Sequence, residues 1–144
     1  MPTLSARKRK AIIEAAIQEF GRNGYQATNM DTIAATAEVS KRTVYNHFPS
    51  KQDLLDTIAN QIWETANQAT QIEYHPNQPV REQLMQLALN ELTLVSDSQF
   101  LGLVRVLAGE FIHNHKLAEQ TFTRLNQQES SLTLWMRKAA ESGK

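Results

Sequence analysis

Apolar residues recur at helical spacing along nearly the whole chain, and no stretch alternates apolar and polar positions for long enough to make a strand. The first stripe, Ile13, Ala16, Ile17 and Phe20, follows the i, i+3, i+4, i+7 pattern and predicts a helix from near Ser5 to Gly21 or Asn23. Gly24 is expected to end it as a left-handed cap, with Tyr25 turning back into the core. Ile33 and Ala37 share one face of a short second helix, which Thr28 or Asn29 can cap, and Val39 fills the turn that follows. Ser40 is a good N-cap for a third helix, Lys41 to Phe48, whose Val44 and Phe48 point inward together. Pro49 stops that helix and Ser50 caps a longer one, Lys51 to about Ile72, with Leu54, Leu55, Ile58, Ile62 and Ala66 along one side. Its stripe starts against the short helices and runs past them, so this helix is expected to serve both halves of the chain.

The segment Tyr74-His75-Pro76-Asn77-Gln78-Pro79 breaks the helical period and reads as a linker. Beyond it, Leu84, Leu87, Ala88 and Leu92 predict a buried face on a helix from Val80 to about Val95. Phe100, Leu103, Val104, Leu107 and Phe111 do the same from Gln99 to about Ile112. After a polar break at residues 113–116, Ala118, Phe122, Leu125, Leu132, Trp135 and Met136 predict one last long helix. Glu141-Ser142-Gly143-Lys144 then gives a C-cap signal. The fold class is therefore all-α: a three-helix N-terminal domain over residues 1–52, joined by a connecting helix to a helical bundle over residues 53–144.

Composition narrows the setting. The 144 residues include 5 Gly, 4 Pro and no Cys, which favours helix throughout and excludes disulfides and thiolate metal sites. A chain without cysteine fits a reducing cytoplasm. No span approaches the uncharged length of a transmembrane helix, so no membrane is expected as a partner. The formal net charge is zero, yet residues 1–51 hold 8 Lys and Arg against 4 Asp and Glu, a net of +4, and the remainder is correspondingly negative. Such asymmetry suits a nucleic-acid-binding head on a non-binding body.

The positive half holds the candidate chemistry. Turning Val44 and Phe48 inward leaves Lys41, Arg42, Thr43, Tyr45, Asn46 and His47 on the outer face of the third helix. Two cations, a hydroxyl, a phenol, an amide and an imidazole suit phosphates and base edges, so residues 28–51 read as a helix-turn-helix with a recognition helix. Arg7, Lys8 and Lys10 at the start of the first helix oppose its dipole and are candidates for reaching a phosphate backbone.

At Gly24-Tyr25, Thr28, Ile33-Ala34, Val39-Ser40, Thr43-Val44-Tyr45, His47-Phe48 and Ser50-Lys51-Gln52-Asp53-Leu54-Leu55, the sequence resembles the DNA-binding domain of the TetR/AcrR family of bacterial transcriptional repressors. The resemblance covers residues 7 to 60 or so. It implies a homodimer that binds a palindromic operator in double-stranded DNA and is released when a small-molecule effector enters a helical ligand-binding and dimerisation bundle. It also implies that Thr43, Tyr45 and Lys51 contact phosphates, with Thr28 a further contact. Lys41, Arg42, Asn46 and His47 would face base edges or nearby phosphates. Two residues depart from the family pattern: Arg42 stands where a small residue is common, and Glu38 where Gly is usual in the turn. The C-terminal half resembles the family in layout and loosely at Arg105, Glu110 and the helix of Trp135. Members carry two further helices there, so the bundle is expected to be incomplete.

Other chemistries find less support. Glu110 and His113 have the i, i+3 spacing of a carboxylate-bridged metal centre, but such centres need a second copy and further glutamates, so a polar helix end is the expectation. There is no Gly-rich phosphate loop, and spacing suggests no nucleophilic triad; neither catalysis nor a cofactor is expected. Trp63 and Trp135 are expected in the core, and no effector-binding residue can be named. The alternative function is a helical protein–protein interaction module that keeps this fold without reading DNA.

Overall fold

In the computed structural model, which describes residues 1–127 and 129–143, the chain forms eight helices and no strand among those residues. They are α1 (Leu4–Asn23), α2 (Met30–Thr36), α3 (Lys41–His47), α4 (Lys51–Ala69), α5 (Val80–Val95), α6 (Ser98–His113), α7 (His115–Leu125) and α8 (Ser131–Glu141). None alone is long and apolar enough to cross a membrane.

Side-chain caps mark most of the helix starts. Thr3, Asn29, Ser40, Ser50, Asp97 and Ser130 each accept a hydrogen bond from a backbone N–H of the first turn, satisfying donors the helix itself cannot. Asn29, rather than Thr28, caps α2, and Thr32 answers it in a reciprocal capping box. The first helix begins at Leu4, one residue before the start expected near Ser5, because Thr3 caps it. Gly24 closes α1 by donating its N–H to the Phe20 oxygen at 2.9 Å, but with φ 78° and ψ 159°. That is the region only glycine occupies readily, and it corrects the expected left-handed cap: the chain leaves α1 extended rather than curled.

One continuous core joins the two halves. Ile12, Ile13, Ala16 and Phe20 of α1 pack with Ile33, Val44 and Phe48 of the short helices and with Leu54, Leu55 and Ile58 of α4. Leu107 of α6 and Leu117 of α7 belong to the same cluster. The connecting helix α4 packs on α1 at one end and on α5, α6, α7 and α8 along its length. It stops at Ala69, three residues before the expected end, where the buried Thr70 hydroxyl turns back to the Ala66 and Asn67 oxygens.

Two expectations for the bundle are corrected. The α5 stripe is not buried: only Leu87 is, while Leu84 and Leu92 are exposed, as are Met85, Leu89 and Val95 on the same helix. What anchors α5 is a polar residue, Gln83, whose buried amide accepts from the His75 N–H at 3.0 Å and donates to the His75 and Gln78 oxygens at 2.9 and 3.1 Å, folding the linker onto the helix start. The predicted last long helix is two helices, because Ser130 caps a fresh start at Ser131. Trp135 is buried in α8, but Phe122 and Met136 are exposed. The side chain of Leu125, and Lys144, lie outside the described residues.

Candidate nucleic-acid interface

The interface candidate is α3 and the corner that holds it. Between α2 and α3 the chain makes a Schellman closure: Val39 N–H donates to the Ala34 oxygen at 3.1 Å and Glu38 N–H to the Ala35 oxygen at 3.1 Å. This closure puts Glu38 at φ 54°, the one non-glycine residue with positive φ among those described. Glu therefore stands in the left-handed position that glycine tolerates best, at a cost of roughly 1 kcal/mol or more. The turn keeps the geometry that Gly would give it.

From the Ser40 cap onward, Val44 and Phe48 are buried and the other positions of α3 face outward or sit at its margin. Arg42 and Asn46, four apart, share an exposed stripe, with Tyr45 beside them at 43% exposure. Thr43 is half-buried and exchanges a 2.8 Å hydrogen bond with the Ser40 hydroxyl. His47 is half-buried too, its ring tilted against Phe48. Lys41 is engaged by α2: its Nζ lies 2.8 Å from Asp31 Oδ1, and the Asp31 carboxylate holds the ammonium above its ordinary range. Among the expected contacts on α3, then, Arg42, Tyr45 and Asn46 are the most open to a partner.

Two expected contacts lie elsewhere. Thr28 is 3% exposed, and its hydroxyl faces the Gly24 oxygen at 2.8 Å and the Glu19 oxygen at 3.1 Å. Its proton is used to close the α1–α2 corner. Lys51 points inward to the same corner, with Nζ donating to the main-chain oxygens of Tyr25 at 2.6 Å, Thr28 at 2.9 Å and Gln26 at 3.4 Å. It also lies 4.3 Å from the centroid of the Tyr25 ring. Partial burial lowers its pKa below the usual lysine value, with the Glu110 carboxylate opposing that shift. All three ammonium protons thus have acceptors inside the protein, and Lys51 is a clamp between the start of α4 and the loop before α2.

Three residues matter that the pattern did not single out. Glu19 is a buried carboxylate on the α1 stripe, accepting from Thr36 Oγ1 at 2.8 Å and Asn23 Nδ2 at 2.9 Å, and so tying α1 to the end of α2. Arg9 places its guanidinium over the Phe48 ring, 4.9 Å from the centroid, which carries a cation from α1 to the end of α3. Arg9 lies three residues before Ile12 and seven before Ala16, and that spacing on the apolar face was the available signal. Gln26 donates to the buried Glu110 carboxylate at 2.7 Å, linking the same corner to α6.

Behind this corner, α4, α6 and α7 form a half-open apolar cavity of about 370 Å³ lined by Ile62, Trp63, Leu107, Phe111, Thr121 and Phe122, among others. Trp63, expected in the core, is half-buried and forms part of this wall. Glu110 and His113 do not form a metal centre among the described residues; Glu110 accepts from Gln26 and, at 3.3 Å, from Asn114.

Comparison with known proteins agrees with this layout. Residues 12–58 match the model of the tetR family of bacterial regulatory proteins, and residues 82–144 match the C-terminal domain of AefR-like transcriptional repressors. A TetR family transcriptional regulator from Pseudomonas syringae pv. tomato is 40% identical in a crystal structure, with a TM-score of 0.75 over 97% of this chain and 70% of that one. The flavonoid-responsive regulator FrrA is 32% identical, with a TM-score of 0.66 over 83% of this chain and 60% of its own. An HTH-type transcriptional regulator of Bacillus subtilis, YhgD, is 35% identical over 79 residues, which span 55% of this chain and 41% of YhgD.

Proposed function

The chain belongs to the TetR family of bacterial regulatory proteins, and on that premise we propose that it is a DNA-binding transcriptional regulator whose α3 enters the major groove. The observation that carries this reading is the division of α3 itself, with Val44 and Phe48 in the core and Arg42, Tyr45 and Asn46 outside. Arg42 reads a base edge, Tyr45 and Thr43 meet phosphates, and Asn46 and His47 extend the polar face. Lys51 and Thr28 act through the corner they brace, holding α3 at its angle to α1 and α4.

The regulator is a repressor that binds a palindromic operator as a homodimer, a reading supported by the match of residues 82–144 to AefR-like repressors and by the exposed apolar stripe of α5. A small-molecule effector releases it. The cavity between α4, α6 and α7 supports an uncharged, largely apolar effector, since among the described residues Thr121 is the one polar side chain on its wall apart from the Trp63 indole. A relative, FrrA, is described as flavonoid-responsive.

The test is a titration of duplex DNA carrying a selected site with the wild type and Tyr45→Ala. Salt-sensitive binding that the variant loses while keeping its fold supports the proposal; equal binding by both proteins overturns it.

A further inference from the structure

A cleft of about 630 Å³ opens where the end of α1 and the α1–α2 corner face α6. It is separate from the apolar cavity, and its chemistry is different. On the α6 side it is lined by Gly102, Arg105, Val106, Gly109, Glu110 and His113. Arg105 and Glu110 stand about 140° apart around the helix at 100° per residue, with the other four between them. The cleft thus has a cationic edge and an anionic edge.

Gly102 and Gly109 sit in the interior of a helix, where glycine is unfavourable. Neither is there to let another helix of this chain come close, because a Cβ at either would meet nothing within 4 Å. Neither has a positive φ. Their common effect is a widened floor. Glu110 is 5% exposed, and both hydrogen bonds that reach it, from Gln26 and Asn114, end on Oε1. Glu110 lines the cleft, and neither of those two bonds occupies Oε2, the second oxygen of its carboxylate. Phe20 and Tyr25 supply apolar surface on the opposite wall.

We propose that this cleft is a small-molecule site for a zwitterion with an apolar body, its amine on Glu110 Oε2 and its acid group on Arg105. Occupancy adds a cationic partner to the carboxylate that Gln26 holds through Oε1. Because the Gln26 and Tyr25 oxygens accept from Lys51, the site reaches the corner that holds α3.

Glycine signals report directly on this site. Of the 5 glycines in the chain, Gly21, Gly24, Gly102 and Gly109 line the cleft and Gly143 does not. Protein labelled with ¹⁵N-glycine is titrated with 4-(aminomethyl)benzoate, and with benzylamine and benzoate, which each keep one charge. The expected result is saturable shifts of the four cleft signals with Gly143 unmoved, and binding of the single-charge probes about tenfold weaker, as loss of one charged contact implies. Glu110→Gln keeps an acceptor for Gln26 and removes the charge; it should weaken the zwitterion and benzylamine by a similar factor and leave benzoate alone. Gly102→Leu, which fills the floor without touching Glu110, should abolish the shifts of the remaining cleft signals. Unmoved cleft glycines in the wild type, equal titration of wild type and Glu110→Gln, or shifts that persist in Gly102→Leu would each overturn the proposal.

Discussion

The ammonium of Lys51 lies 2.6 Å from the main-chain oxygen of Tyr25 and 4.3 Å from the centroid of its ring, so one side chain fixes the start of α4 to the loop before α2. Lys51→Met keeps the aliphatic length and removes the donors. It should lower stability by about 1 to 2 kcal/mol, the lower part of the range for hydrogen bonds to a charged group because the site is partly exposed. Thermal unfolding followed by circular dichroism measures this. The slope of log affinity for DNA against log salt should stay as in the wild type; a slope reduced by about one charge would make Lys51 a phosphate contact instead.

Thr28→Val tests the same corner from the other side. Replacing the buried hydroxyl with a methyl removes its bonds to the Gly24 and Glu19 oxygens and should cost about 1 to 3 kcal/mol in urea unfolding. DNA affinity measured where the variant is fully folded should change little. Full stability with lost affinity would return Thr28 to the interface.

Glu38→Gly should stabilise the protein, since the left-handed turn position would no longer carry a Cβ. The gain is at most about 1 kcal/mol, because glycine also has more freedom in the unfolded chain. A loss of stability on chemical denaturation would mean that the Glu38 side chain makes a compensating contact.

The Tyr25 hydroxyl is held above its ordinary pKa of 10.0, first by burial and then by the Glu110, Asp56 and Asp53 carboxylates. Burial and those negative charges disfavour phenolate in the folded protein. The unfolded state therefore loses this proton first, and the contribution of Tyr25 to stability is present below pH 10.0 and falls as pH rises through the folded value. Lys51, lowered by burial, works in the opposite sense over the same window. The difference between wild type and Tyr25→Phe isolates the tyrosine: between about pH 9 and 11 the wild type should lose more stability than the variant. Parallel curves would contradict the assignment.

The helix-turn-helix was legible in the sequence because its signals are local. Ser40 and Ser50 cap where they stand, and Val44 and Phe48 are buried four residues apart, as their spacing requires. Roles that depend on long-range partners were not legible. Nothing in the spacing shows that Lys51 reaches back to Tyr25 and Thr28, or that Glu19 is bridged by Thr36, because these contacts exist only once α1, α2 and α4 have packed. The α5 stripe misled for a related reason: periodicity identifies an apolar face but not whether another element covers it, and Leu92 remains 61% exposed. The break between α7 and α8 was missed because the apolar period continues across the Ser130 cap.

Arg42 is the residue proposed to carry a sequence preference of this protein's own. Arg42→Ala should relax selectivity at one base pair per half-site by about 1 to 3 kcal/mol. Lys8→Ala, by contrast, should weaken all duplexes alike and reduce the salt slope. Competition binding against single-substituted sites distinguishes the two effects.

The central claim, that α3 reads DNA, is tested most directly by selecting binding sites for this chain from random duplexes and titrating the winner at several salt concentrations. The account predicts an enriched palindrome, affinity that falls steeply with salt, and loss of the enriched sequence with Arg42→Ala and Tyr45→Ala. A pool that stays random after selection, or binding unchanged by salt, would contradict it.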